Sequence, residues 1–503
     1  MHDCFARLPD NRALIGDGAT WWDKVALIMR VARMREALAT RRDPRAPVAV
    51  LADNSPDWIA ADLATQELGI TLVPLPAFFT PAQWAHTVHA SGAGALFCTD
   101  AAAAAALGFT IRNPWAGTLA LFESDSLPPA AHAAQRPQKI TFTSGTTAAP
   151  KGVCLDAAQQ WAVAASFAEP LARLGVSRHL CLLPFAVLLE NVAGVYTALS
   201  CGATITCPPL AEVGMRGSSG FDADVCLDAI ARRRAESVIL LPQMLLAILA
   251  AAGPGDERLA SLRFAAVGGA KTPEEVLHAA RARGIPVYEG YGLTECSSVV
   301  ALNLPGAERI GSAGRPLAHR RVRVAADGEI EVGGGRFGQY LGDATPPDDW
   351  LPTGDLGRID DDGFLYVDGR KKNVLITGFL YVDGRKKNVL ITGFGRNVSP
   401  EWPESLLAGS GAIAQAVVTG DGGPHLVALL VPAAAPASAD LLEAAVQRAN
   451  AQLPDYARIG AWCVLPEAPS VHNGLATANG RPRRELIRAR YAHLIESLYP
   501  EGA

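Results

Sequence analysis

Long apolar runs are missing from this 503-residue chain, so nothing in it reads as a membrane span, and Ala101 to Ala106 is only a short alanine-rich helix. A basic excess is missing as well. Lys and Arg number 45 against 50 Asp and Glu, a net charge of −5, which argues against a nucleic-acid partner, whose footprint would be a basic patch. The pairs Arg41-Arg42 and Arg483-Arg484 are too short to make such a patch and read as solvated surface. Nine cysteines occur without CxxC or any other metal-ligand spacing, which predicts reduced thiols in a cytoplasmic protein. Ten histidines show neither HExxH nor paired spacing and read as surface or satisfied core residues. The start, Met1 to Arg7, has no basic segment followed by an apolar one, so a secretory leader is not expected.

What is present is an ordinary globular balance, 49% hydrophobic and 19% charged, on a chain too long for one core. Strand-like and helix-like segments alternate through the first half. Val48 to Leu51 reads as a buried strand. Asn54-Ser55-Pro56 then offers an N-cap with proline at the first helical position, and a helix runs on to about Leu68. Thr71 to Pro74 is the next strand, Ala82 to Ala90 a helix and Ala95 to Cys98 a strand. Val238 to Leu241, Arg263 to Val267 and Pro286 to Tyr288 follow as strands, with Pro242 opening a helix. This predicts an α/β domain of largely parallel sheets with helices on their faces. From Val322 to Val367 short alternating strands between Gly and Asp turns predict a small β-barrel-like subdomain. Past residue 390 a smaller α+β unit is expected, with strands at 416–418 and 426–430 and helices over 439–453 and 484–498.

Residues 140 to 155, Ile-Thr-Phe-Thr-Ser-Gly-Thr-Thr-Ala-Ala-Pro-Lys-Gly-Val-Cys-Leu, carry the most chemistry. A β-prone start runs into a loop that can wrap polyphosphate oxygens. Gly145 allows close backbone approach, Thr143, Ser144, Thr146 and Thr147 offer hydroxyls, and Lys151 brings charge. It is not a Walker A loop, since Gly152 follows the lysine and no glycine sits just before it. Alone, such a loop is more often a plain surface turn. Two further motifs follow in order: Tyr291-Gly292-Leu293-Thr294-Glu295 and Thr353-Gly354-Asp355.

Together the three motifs resemble the adenylate-forming superfamily of acyl-CoA synthetases, peptide-synthetase adenylation domains and luciferases, over about residues 20 to 490. The resemblance implies a large N-terminal AMP-binding domain (1–369), a hinge (370–392) and a mobile C-terminal lid (393–503). It implies ATP and Mg2+ as reactants, attack of a carboxylate on the α-phosphate with loss of pyrophosphate, and transfer of the acyl group to a thiol, commonly of coenzyme A. Such chemistry requires alignment and charge neutralisation rather than a protein nucleophile. By the same resemblance Thr143 to Thr147 and Lys151 hold the β- and γ-phosphates and Thr294 meets the α-phosphate. Glu295 is the magnesium ligand, a hard carboxylate for a hard cation. Tyr291, with Gly292 beside it, and the Gly268-Gly269-Ala270 turn sandwich adenine. Asp355 takes the ribose hydroxyls with a hinge arginine, Arg370 or Arg385.

Several features depart from the family pattern. Residues 363 to 377 are repeated without change as 378 to 392, where the family has a single hinge copy. Two copies do not make a solenoid, and a recent in-frame duplication or an assembly error accounts for their identity better than selection. The repeat leaves open Arg370 or Arg385, and Lys372 or Lys387 as pivot. Ala148 stands where a glycine is usual. Arg481 stands where the family places a catalytic lysine, a planar fork in place of a point charge. Leu183 to Asn191 lacks the histidine that many relatives carry, and an apolar lining about Phe185 and Val187 suits a fatty or aryl acid. Asp222 and Asp224 read as helix-start carboxylates rather than receptors for an amino group. The expected activity is acid activation and transfer to coenzyme A. A ligase loading an acyl-carrier protein and a degenerate nucleotide-binding protein remain the alternatives.

Overall fold

The computed structural model describes residues 8, 12–113, 117–124, 137–143, 150–217, 220–335, 337–343, 349–370, 390–433, 438–470, 473–476 and 482–499. The chain divides into two compact units. One is Met1–Thr143, Pro150–Arg216 and Gly220–Phe379; the other is Ser144–Ala149, Gly217–Ser219 and Leu380–Ala503.

The first unit holds four sheets among its described residues, the smallest being the antiparallel pair Met215–Arg216 and Gly220–Phe221. In an eight-stranded sheet, Lys139–Thr143, Leu72–Pro74, Val48–Leu51 and Ala95–Cys98 lie parallel in that order. Antiparallel strands flank them, Lys151–Leu155 and then Gln339–Tyr340 on one side, Ala120–Ser124 and Phe109–Asn113 on the other. A nine-stranded sheet runs parallel through Thr204–Thr206, Arg178–Leu180, Ser237–Leu240, Phe264–Val267 and Val287–Leu293. It then turns antiparallel through Ser298–Leu302 and Arg315–Pro316. The short strands read from sequence between 322 and 367 form a four-stranded antiparallel sheet, Arg321–Val324, Glu329–Gly333, Trp350–Ile359 and Leu365–Arg370. Parallel strands buried on both faces read as continuous apolar runs, and Val48–Leu51 is buried throughout.

Local signals mark the helix starts. Ser55 Oγ accepts from Trp58 N at 3.2 Å, with Pro56 at the first helical position of Pro56–Leu68. Asp222 caps the helix Ala223–Arg233 by accepting from Val225 N at 3.2 Å, and Asp224 pairs with Arg258.

Two polar clusters are sealed inside this unit. Lys139 and Asp62 are 0% and 1% exposed and meet at 2.9 Å. Asp62 Oδ2 also accepts from Tyr196 OH at 2.7 Å and from Asn191 Nδ2 at 3.0 Å, so helix, strand and the π-helical segment Leu189–Tyr196 are pinned at one carboxylate. Burial pulls the Lys139 ammonium below its ordinary pKa, against the raising effect of Asp62. The second cluster is His179, Cys181 and Glu190, whose ligand atoms lie within 4.8 Å of one another. Its polar capacity is spent internally. Glu190 accepts from Leu182 N at 3.0 Å and Leu183 N at 2.9 Å and faces His179 Nε2 at 2.9 Å, while His179 Nδ1 meets Ser237 Oγ at 2.9 Å.

The arginine pairs depart from the sequence reading. Arg41 is 4% exposed and donates to the carbonyls of Leu38, Pro44 and Ala46; burial lowers its pKa to about 10. Arg484 is largely buried and forms an ion pair with Glu404. A run of two arginines does not reveal which of them turns inward to cap carbonyls or meet a carboxylate.

In the second unit Ile413–Thr419 and Leu426–Pro432 pair antiparallel, and Ile459–Val464 adds in parallel. The helix Ala439–Asn450 buries Leu442, Ala445, Val446 and Ala449. The single helix expected over 484–498 is two, Arg484–Arg490 and Ala492–Glu496, broken at Tyr491, whose side chain is buried among Leu429, Ile487 and their neighbours. No described helix is long and apolar enough to cross a membrane.

Candidate active site

The Ser/Thr/Gly-rich segment is flanked by two paired antiparallel strands. Thr143 ends the strand Lys139–Thr143 and pairs with Lys151, the first residue of Lys151–Leu155; Thr143 Oγ1 approaches Lys151 O at 3.5 Å. Ser144, Gly145, Thr146 and Thr147, with Ala148, lie outside the described residues, as do Lys372, Arg385, Lys387 and Arg481.

The second motif lies on a strand. The sequence reading ends that strand at Tyr288, whereas it continues to Leu293 and carries Tyr291 and Gly292 with it. Pairing to Ser298–Leu302 holds the glycines in line, with a register shift between Tyr291 and Gly292. A Cβ on Gly292 would lie 1.9 Å from Ser298 O, so only glycine fits there. Thr294 to Cys296 then form one 3₁₀ turn presenting Glu295, and the chain reverses through Ser297 at φ 63° and Ser298 at φ 111°. Positive φ is unfavourable for side-chain-bearing residues and clusters at functional sites. Both serines are buried, and Ser297 N returns to Thr294 O at 2.9 Å.

Gly268 follows the neighbouring strand Phe264–Val267, and an added Cβ there would stand 3.6 Å from Gly290 O. The Gly268-Gly269-Ala270 turn therefore lies beside the Tyr291 strand, with Gly269 at φ 90°. Its exit is fastened by a residue the sequence reading passed over. Glu289 Oε1 accepts from Thr272 N at 2.8 Å, and burial raises the Glu289 carboxyl pKa to about 7. Lys271 Nζ crosses to Val367 O at 3.2 Å, reaching the four-stranded sheet.

Asp355 sits on Trp350–Ile359, 5% exposed. Its backbone N–H is held by Thr353 Oγ1 at 3.1 Å, and Gly354 N donates to Glu329 Oε1 at 2.8 Å. Tyr291 OH donates to Asp355 Oδ2 at 2.6 Å. Arg370 ends the strand Leu365–Arg370 directly opposite Asp355 in register; its side chain lies outside the described residues.

A second tyrosine closes the constellation. Tyr340 OH donates to Glu295 Oε1 at 2.6 Å, and Lys151 Nζ stands 5.6 Å from the centre of the same ring. The sequence reading missed Tyr340, because a two-residue strand between Gly338 and Gly342 advertises no partner. Thus Lys151 and Glu295 meet through Tyr340, and Tyr291 meets Asp355. The Phe185 ring, read from sequence as acid-pocket lining, is 1% exposed and packed on Trp58 at 5.4 Å; within that stretch Val187 and Leu189 are half-buried.

The family model for AMP-binding enzymes matches residues 2–339, and that for the AMP-binding enzyme C-terminal domain matches 387–503. An indoleacetate–CoA ligase of Aromatoleum aromaticum is 32% identical over 326 residues, 59% of this chain and 58% of that protein. The 3-[(3aS,4S,7aS)-7a-methyl-1,5-dioxo-octahydro-1H-inden-4-yl]propanoyl:CoA ligase of Mycobacterium tuberculosis is 29% identical over 449 residues, 82% of this chain and 83% of that protein. The chain spans about half the length of the first curated relatives it matches. Among solved structures, the amide bond synthetase McbA from Marinactinospora thermotolerans superposes with a TM-score of 0.74 at 24% identity, covering 97% of this chain and 99% of that one, a likeness of fold.

Proposed function

The chain belongs to the AMP-binding enzymes of the adenylate-forming superfamily, and from that premise we propose that it activates a carboxylic acid with ATP, releases pyrophosphate, and passes the acyl group to the thiol of coenzyme A. The observation that carries the reading is the meeting of Lys151 and Glu295 at Tyr340, beside the Tyr291–Asp355 pair. A cation, two carboxylates and two phenols drawn largely from three distant motifs gather within one unit.

The roles follow from chemistry. Lys151, with Thr143 to Thr147, would neutralise the β- and γ-phosphates, and Thr294 would meet the α-phosphate. Glu295 suits Mg2+, since its carboxylate is half-buried and one oxygen is already oriented by a phenol. When bound, that ion would spread the charge of the phosphates. Asp355 would accept from the ribose with Arg370 or Arg385, and the Gly268-Gly269-Ala270 turn and Tyr291 would flank adenine with Gly292 beside them. Arg481 would serve the acid and α-phosphate in place of lysine. The chain would divide as a nucleotide domain (1–369), a hinge (370–392) and a lid (393–503). The acid would be a fatty or aryl one. The cysteines among the described residues are free, which fits a cytoplasmic enzyme.

ATP–pyrophosphate exchange with a panel of fatty, aryl and amino acids tests this directly. Exchange driven by fatty or aryl acids, followed by thioester formation with coenzyme A, is the expected result. ATP binding with no exchange for any acid would instead favour a nucleotide-binding protein without turnover.

A further inference from the structure

The short strand Gln339–Tyr340 is fixed at both ends by the two segments that its tyrosine touches. Gly338 N donates to Glu295 O at 2.7 Å, and Leu341 N donates to Gly152 O at 2.8 Å. Between those bonds Tyr340 pairs with Val153 in the sheet. Gly338 has no room for a side chain, since a Cβ there would stand 2.5 Å from Val153 Cγ1. Upstream, Arg320 donates to Gly334 O and Cys296 O and lies over the Phe337 ring, binding the same stretch to the turn that carries Glu295. The Tyr340 side chain therefore leaves a backbone stapled between the Lys151 strand and the Glu295 turn. Its phenol reaches one and its ring face the other. At 40% exposed it is not a packing residue.

We propose that Tyr340 is a positioning residue of this site, its hydroxyl holding the Glu295 carboxylate and its ring seating the Lys151 ammonium, so that one side chain sets the metal-binding anion against the phosphate-binding cation. This rests on the function proposed above. A carboxylate has two oxygens; with Oε1 bound to the phenol, Oε2 is left oriented for a divalent cation accompanying a polyphosphate. Hydrogen-bond partners of metal-binding carboxylates fix ligand orientation, and their loss costs about 10–100-fold in metal affinity. The ring acts separately, since an ammonium over an aromatic face is held by the quadrupole without a hydroxyl.

Calorimetric titration of the full chain with ATP, in excess Mg2+ and in EDTA, separates the two contacts. Tyr340→Phe is expected to cut the magnesium-dependent gain in ATP affinity about tenfold and to leave affinity in EDTA unchanged. Tyr340→Leu is expected to weaken binding in EDTA as well. Because the hydroxyl acts through Glu295, Tyr340→Phe placed in a Glu295→Gln background should have no further effect on the magnesium gain. The proposal is overturned if Tyr340→Phe keeps the full magnesium gain, or loses it equally in the Glu295→Gln background. Thermal melts of each variant identify a general loss of fold, which would lower affinity with and without magnesium alike and would also count against it. Wild-type protein that binds no ATP would overturn the functional reading itself.

Discussion

Tyr291 and Asp355, 64 residues apart, share a hydrogen bond of 2.6 Å in which the phenol donates to a buried carboxylate. The bond ties the nine-stranded sheet to the four-stranded one, and Tyr291 also packs with Ala301, Ile330 and Leu365 across the same junction. The residue proposed to flank adenine thus orients the residue proposed to hold ribose.

Tyr291→Phe keeps the ring and removes that donor. Hydrogen bonds to charged groups contribute about 1.5–3 kcal/mol, so KM for ATP in pyrophosphate exchange should rise about tenfold or more. The thermal midpoint should move little, because the apolar packing survives. An unchanged KM would show that Asp355 needs no orienting partner.

Glu289 predicts a pH effect. Burial raises its folded pKa to about 7 from the ordinary 4.5, so between those values the native state binds more protons than the unfolded chain. Stability from this group is therefore full below about pH 4.5 and is lost as pH rises through about 7, a swing on the order of 3 kcal/mol. Glu289→Gln can still accept from Thr272 N and has no charge to bury. Its urea midpoint should vary less than that of wild type between pH 5 and 8, and should exceed wild type at about pH 8. A variant whose pH slope matches wild type would exclude Glu289 as the source.

Lys139→Met leaves the Asp62 carboxylate buried without its cation. Breaking a sealed ion pair costs about 3–5 kcal/mol, and a lowered urea midpoint is the measure. Adding Asp62→Asn should recover part of that loss, because the orphaned charge is then gone. If the single variant is as stable as wild type, the pair is not what fastens helix, strand and π-helical segment.

Deleting residues 378 to 392 leaves one copy of the duplicated segment, the number found in the family. Thioester turnover by the shortened chain should equal or exceed that of the full chain, with a thermal midpoint no lower. A deletion variant that is both slower and less stable would show that the second copy has become integral.

Much of the architecture was legible because it is local. The Ser55-Pro56 helix start, the alternation from Val48 to Cys98 and the Asp222 cap each depend on residues a few positions apart. Legibility failed where a side chain's partner is remote. Arg41 and Arg484 resemble surface charge until a carbonyl cluster or Glu404 takes them. Phe185 looks like pocket lining until Trp58 covers it. Tyr340 carries no local mark at all, since its meaning lies in Glu295 and Lys151, far away in the chain.

The order of three motifs, spelled by small hydroxyl residues, glycines and two carboxylates, was enough to name the family, and it suggests the proposed chemistry because such residue types suit phosphates, a divalent cation and a ribose. Which groups touch was decided only when the sheets assembled. Hydrogen bonds and ring contacts form across angstroms of space, and one dimension of sequence carries no distance between residues 151, 295 and 340.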